Sequence, residues 1–341
     1  MHHIPHGKNK ASHGNQPVIF LQHGLEGCSS NWITNLPWEA AGFMFADAGF
    51  DVWMGNFRGN TYSRAHTSLD PDKIPFWEFS YDDMAKYDLP KMIDTVLNKT
   101  SQKQLYYVGH SMGTMTMFAQ GSQDNEFASK IKAFFALAPV ARVGNIGGFL
   151  QYIAPFTNQL EELIKLLGGW GEFMPTDAVQ QWMAKHFCNK PAVQALCGDL
   201  LFLIGGADSK QLNASRVPVY ISHSPAGTSS MNIVHFGQNV NENKFMMYDY
   251  GSPTKNEDHY GDGITVPPTY DLSKFKIPTY IFRGDMDILA DPQDVDWLQG
   301  QLTTVKQALR YAEFNHLDFI WGLNAAGEIY EKIIDIVKKD Q

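Results

Sequence analysis

The chain of 341 residues holds only three cysteines, too few for a disulfide scaffold. Cys188 and Cys197 bracket a short loop containing Pro191, which is compatible with one bridge that leaves Cys28 over. Three reduced thiols in a cytosolic protein satisfy the composition equally. No apolar run reaches the length of a transmembrane helix, and no apolar segment follows Met1 to serve as a secretory leader. Basic residues are in deficit, 27 Lys and Arg against 36 Asp and Glu. That balance argues against a nucleic-acid partner, which needs a basic face. Apolar residues make up 44% of the chain and aromatics 13%, enough to fill one large domain or a core domain carrying an insertion. Two glycosylation sequons, at Asn98 and Asn213, each hint at a secretory route, although such triplets also arise by chance.

The most informative stretch is Gln104 to Thr114. A β-branched and aromatic run, Leu105-Tyr106-Tyr107-Val108, enters Gly109-His110-Ser111-Met112-Gly113, and a helix-compatible segment follows. A serine on a tight turn between strand and helix has its hydroxyl pushed outward, and the flanking glycines leave room for the turn. The helix then aims its first N–H groups at the same spot, where an oxyanion can be held. A bare Gly-x-Ser-x-Gly also fits a surface turn; the strand before it and the helix after it favour a nucleophile.

Upstream, Pro17-Val18-Ile19-Phe20-Leu21 reads as a buried strand emptying into Gln22-His23-Gly24-Leu25. The loop after such a strand supplies a second oxyanion N–H in hydrolases, here that of Leu25; His23 is read as supporting the loop. A helix is expected over Trp38–Ala48, a strand over Phe50–Met54, and a helix over Tyr81–Leu97 that Pro90 kinks. A further strand is expected over Ile131–Pro139. Strands separated by helices predict an α/β fold, a parallel sheet covered on both faces. After Pro139 the alternation stops. From 141 to 235 short amphipathic segments predict a helical cap inserted into a core made of 1–140 and 236–341. Leu160, Leu163, Leu166 and Leu167 there also fit an ordinary packed helix. The strand at Pro278–Phe282 ends among Asp285, Asp287 and Asp291, which compete as a triad acid. His316 lies in a loop before the last helix, Asn324–Lys339, so the order is serine, acid, histidine.

These residues, taken together, resemble the acid lipase family, which includes gastric and lysosomal acid lipases. The resemblance spans nearly the whole chain, from Ile4-Pro5-His6-Gly7 to the last helix. It is carried by Leu21-Gln22-His23-Gly24-Leu25, Asn31-Trp32-Ile33-Thr34-Asn35-Leu36, Ala46 to Asn56, Arg58-Gly59-Asn60-Thr61 and Met84 to Pro90. His223 to Ser229 and His316 to Trp321 add to it. It implies an α/β-hydrolase fold with Ser111 as nucleophile, His316 as base, and Leu25 and Met112 as oxyanion residues. Among the three aspartates it selects Asp287, since the family's Asp-x-Leu-Ala-Asp-Pro falls on Asp287 to Pro292. It implies a Cys188–Cys197 cap disulfide and glycans on Asn98 and Asn213. The implied activity is hydrolysis of triacylglycerols and cholesteryl esters at a lipid–water interface and acidic pH. No metal or organic cofactor is implied, and the implied location is secreted or lysosomal. A soluble carboxylesterase or thioesterase, or a silent lipid-binding relative, are the alternatives. Two departures stand out. Met112 replaces the family's Gln in Gly-His-Ser-Gln-Gly, and the chain begins inside the second of two N-terminal edge strands, so an exposed edge is expected.

Overall fold

The computed structural model describes residues 1–9, 14–166, 168–176, 185, 188, 206 and 210–341. The strands of its main sheet are β1 (His2–Ile4), β2 (Val18–Gln22), β3 (Asp51–Met54), β4 (Leu105–His110) and β5 (Ile131–Leu137). A two-residue pair, β6 (Glu172–Phe173) and β7 (Thr228–Ser229), stands apart, and β8 (Thr279–Gly284) and β9 (Val305–Tyr311) complete the sheet. The order across it is β1-β3-β2-β4-β5-β8-β9. β1 runs antiparallel to β3, and every other neighbour in this sheet is parallel. Helices cover both faces of a parallel sheet, which is why all six residues of β4 are buried.

The expected strands lie where apolar runs predict them, whereas β9 has no such run. Its middle residues are exposed and include Lys306, Gln307 and Arg310. It is an outer strand of the sheet, where charged side chains protect an open edge.

Two helix expectations need correction. The helix predicted from Trp38 begins at Ala41 and runs Ala41–Ala48, ending on Gly49 at φ 103°. Pro37 lies in a preceding turn, in which the Glu39 and Ala40 N–H groups both donate to Leu36 O. The Tyr81–Leu97 segment is not one uninterrupted α-helix. Instead Met84–Asp88 forms a π turn, in which the Leu89 N–H reaches back to Met84 O, and Leu89–Thr100 continues as α-helix. The wider turn gives the proline ring room at a carbonyl it would otherwise strike.

Beyond Pro139 the described elements are mostly helical: Gly148–Ile153, Thr157–Leu166, Val217–His223 and Ser230–Glu242. The last of these runs through the expected boundary at 235. In Thr157–Leu166 the leucines divide. Leu160 packs with Ile164 against Met231, Val234 and Tyr248, whereas Leu163 and Leu166 are exposed; Leu167 lies outside the described residues. Cys188 is disulfide-bonded and Cys28 is free and buried, so three reduced thiols are excluded. The expected partner Cys197 lies outside the described residues. Among the described residues no helix is long and apolar enough to cross a membrane.

Candidate active site

The carboxyl ends of β2, β4, β8 and β9 carry Leu25, Ser111, Asp287 and His316 in the loops that leave them, the edge where parallel α/β sheets place their sites. Ser111 connects β4 to the helix Met112–Gln123 at φ 54°, ψ −123°, a left-handed conformation that costs a non-glycine residue on the order of 1–3 kcal/mol. Its N–H is tied to Leu137 O on β5 at 3.2 Å. The turn is tight enough to demand glycines. A Cβ on Gly109 would meet Gly113 O at 2.8 Å, and one on Gly113 would meet Gln22 O at 2.5 Å. Gly24 is under the same constraint, because a Cβ there would lie 2.7 Å from Ser111 Cβ. The loop after β2 therefore lies directly against the serine.

The three competing aspartates separate by their partners. Asp285 accepts from Arg310 Nε at 2.6 and 2.8 Å, and Asp291 caps the helix Pro292–Gln301 through Gln293 N–H. Asp287 is 2% exposed, and its two oxygens lie 3.0 and 2.9 Å from His316 Nδ1. Its Oδ1 also accepts from the Leu289 and Ala290 N–H groups at 2.9 and 2.8 Å. A carboxylate so held keeps Nδ1 protonated and leaves Nε2 as the basic nitrogen. Among the described residues Ser111 Oγ makes no hydrogen bond, so the serine–imidazole contact is open in this conformation. Such contacts are commonly loose without substrate and tighten in the reacting complex.

The main chain of His316 has its own support. His110 Nε2 donates to His316 O at 2.8 Å. Burial, and then the nearby His316, push the His110 imidazole down to about 3, so it stays neutral and acts as a fixed donor. Asn315 and Asp318 close the turn: Asn315 Oδ1 accepts from the Leu317 and Asp318 N–H groups, and Asp318 Oδ2 accepts from Asn315 N–H. His23 is structural, as read from the sequence. Its Nδ1 lies 2.8 Å from Gly24 O, and Nε2 receives Phe57 N–H and Asn60 Nδ2 at 3.1 Å each. Burial lowers it to about 4.

The Leu25 and Met112 N–H groups have no acceptor among the described residues, so both are available to an oxyanion. Asn232, on the helix Ser230–Glu242, donates to Met112 Sδ at 3.4 Å and to Thr228 Oγ1 at 3.2 Å. Position 112 thus keeps a polar neighbour, supplied by a distant helix, even with methionine in place of glutamine. Neither His110 nor Asn232 was singled out from sequence. His110 falls on an unspecified position of Gly-x-Ser-x-Gly, and Asn232 carries no local signal. A cavity of about 480 Å³ lined by Arg58, Phe79 and Tyr87 contains none of the catalytic candidates in its wall.

The family model described as alpha/beta hydrolase fold matches residues 17–323. The lysosomal acid lipase/cholesteryl ester hydrolase of Homo sapiens is 49% identical over 99% of this chain and 84% of its own length. The gastric triacylglycerol lipase of Bos taurus is 44% identical over 99% of this chain and 84% of its own. The chain belongs to the acid lipase family. Acid lipases are thereby placed within the α/β-hydrolase fold that the sheet order displays. A monoacylglycerol lipase from Paleococcus ferrophilus matches that fold with a TM-score of 0.55 at 15% identity, covering 96% of each chain.

Proposed function

We propose that the protein is a carboxylic ester hydrolase of neutral lipids, acting on triacylglycerols, cholesteryl esters or both through Ser111, Asp287 and His316. The observation that carries the reading is the two-oxygen grip of Asp287 on His316 Nδ1 at the same sheet edge as the strained Ser111 turn. In the first step His316 Nε2 takes the Ser111 proton as Oγ bonds to the ester carbonyl carbon, and the carbonyl electrons move onto oxygen. The Leu25 and Met112 N–H groups hold that oxyanion, each lowering the barrier by about 3 kcal/mol. The tetrahedral centre collapses, the carbon–alkoxy bond breaks, and His316 returns the proton to the departing alcohol. Water then attacks the acyl-enzyme with His316 again as base, releasing the fatty acid and restoring Ser111.

The segment 141–235, with the rest of the helix that crosses its end, is read as a cap over this edge. Exposed Tyr152, Phe156, Leu163 and Leu166 give it apolar surface suited to a lipid–water interface. The secreted or lysosomal location belongs to the same reading. It is supported by exposed Asn98 and by Asn213, whose Oδ1 accepts from both the N–H and the hydroxyl of Ser215. Both asparagines are proposed glycan acceptors, and Cys188–Cys197 the proposed bridge. The deciding experiment compares the protein with its Ser111→Ala variant on emulsified triolein and cholesteryl oleate at pH 5 and pH 8. Hydrolysis that disappears with the serine hydroxyl while circular dichroism is unchanged is expected; full activity in Ser111→Ala would sink the assignment.

A further inference from the structure

Glu26 follows the oxyanion residue Leu25 and adopts φ 56°, a conformation glutamate takes only when its surroundings enforce it. The enforcing contacts come from one place. Ala226 N–H donates to Glu26 O at 2.8 Å, and the next residue, Gly227, donates its N–H to Glu26 Oε2 at 3.0 Å. Main chain and side chain of one residue are thus clasped by two consecutive N–H groups. The other carboxyl oxygen, Oε1, is shielded from solvent and has no hydrogen-bond partner among the described residues. A second carboxyl stands beside Gly227: a Cβ there would lie 3.4 Å from Glu172 Oε1 on β6. A carboxylate at position 26 would therefore be buried, half-satisfied and opposed by a like charge, whereas a neutral acid suits the same pocket.

We propose that Glu26 is a positioning residue whose protonated carboxyl holds the oxyanion loop in place, presenting the Leu25 N–H under acid conditions and withdrawing it as pH rises. The inference rests on the reading of Leu25 as an oxyanion donor. Burial, and then Glu172, push the Glu26 carboxyl well above the ordinary range, against a smaller pull from Gly227 N–H. With the folded value raised, the clasp is at full strength below the ordinary value and is lost as pH climbs through the raised one. Among the described residues the titratable groups around it are few. Glu172 is paired to Arg64 at 3.0 Å and is itself raised by burial, with Asp72 adding to the rise. His23 and Cys28 share its loop; burial lowers the first to about 4 and raises the second, so both are neutral across the alkaline limb. His223 precedes the clasping segment and is lowered by burial. Ionised Glu26 seeks water, the clasp opens, and the left-handed backbone beside Leu25 loses its restraint.

The test is kcat/KM for a soluble p-nitrophenyl butyrate between pH 4 and pH 9, for the full chain, Glu26→Gln and Glu172→Gln, with Ser111→Ala as blank. Glutamine cannot ionise, so in Glu26→Gln the alkaline limb is expected to move up by one pH unit or more while the acid limb stays. In Glu172→Gln the opposing charge is gone and Glu26 ionises more easily, so the alkaline limb is expected to move down. A Glu26→Gln limb that coincides with that of the unaltered protein overturns the proposal. Should Glu26→Gln not fold, Glu172→Gln decides alone, and an unmoved or raised limb there overturns it. Absence of Ser111-dependent hydrolysis in the unaltered protein would instead defeat the proposed function.

Discussion

Asp287 is held by three groups at once, His316 Nδ1 and two backbone N–H donors, and each has a different consequence for substitution. In Asp287→Asn the amide oxygen keeps the Leu289 and Ala290 N–H groups, but its NH₂ cannot accept from Nδ1–H. The imidazole then adopts the wrong tautomer, and kcat is expected to fall about 10⁴-fold with the fold preserved; pre-steady-state ester hydrolysis and circular dichroism check both halves. Gly24 gives a steric counterpart. In Gly24→Ala the added methyl enters at 2.7 Å from Ser111 Cβ, so loop and serine must separate. Labelling of Ser111 by a fluorophosphonate is expected to slow by about 10²-fold, and an unchanged rate would show that the loop yields freely. At this scale the sequence was legible where chemistry follows local pattern, as at Ser111. Among Asp285, Asp287 and Asp291 the sequence pattern alone left a tie. The family resemblance pointed to Asp287, and the physical difference lies in the partners: Arg310 for Asp285, His316 for Asp287 and the Gln293 N–H for Asp291.

Elements hold these residues through contacts that join distant parts of the chain. Asp294, 3% exposed on the helix Pro292–Gln301, accepts from Arg142 Nε at 2.8 Å and from the N–H and Nδ2 of Asn145 at 2.8 and 2.9 Å. The segment after β5 is thereby fixed to the helix that follows the Asp287 loop. Replacing Arg142 by Met leaves a buried carboxylate with only neutral partners, a loss expected to cost about 3 kcal/mol. Urea denaturation of Arg142→Met, with Arg142→Met/Asp294→Asn as the relieved pair, measures it; equal stability of both variants with the parent would refute it. Elements with strong apolar runs, such as β2 and β4, were readable. β9 was not, because its exposed edge position suits polar residues. The π turn at Met84–Asp88 was not readable either, because the sequence shows the proline but not which accommodation the surrounding packing selects.

The whole molecule carries two opposed sets of buried titrating groups. Asp82 accepts from Tyr248 N–H at 2.9 Å and Tyr270 OH at 2.5 Å, yet burial pushes it up to about 7. With the folded value raised, its contribution is fully present below about pH 4 and is lost as pH rises through about 7. His23, His110 and His235 are lowered by burial to about 4, 3 and 3. Their contribution is present above about pH 6.5 and is lost as pH falls toward those values. Three histidines outweigh one carboxyl between about pH 4 and 6.5, so stability is expected to rise across that range, with Asp82 blunting the rise, and to level off above about pH 7. Asp82→Asn should raise stability at pH 8 by a few kcal/mol, at most about 4, and leave it nearly unchanged at pH 4. Urea midpoints across pH 4 to 9 read this directly, and parallel curves for the two proteins would count against it.

The amino-acid order alone determined the α/β class, the serine turn, the candidate set for acid and base, and the family. Each is written in local periodicity, in glycines a tight turn cannot do without, or in long matched segments. Tertiary structure decided how Asp287, already indicated by the resemblance, is held against His316, what His110 and Asn232 support, where the helices after Pro139 end, and that Glu26 is clasped beside Glu172. Those depend on groups 29 to 206 residues apart meeting in a site shielded from water. There an unpaired charge is costly and one hydrogen bond selects between equals.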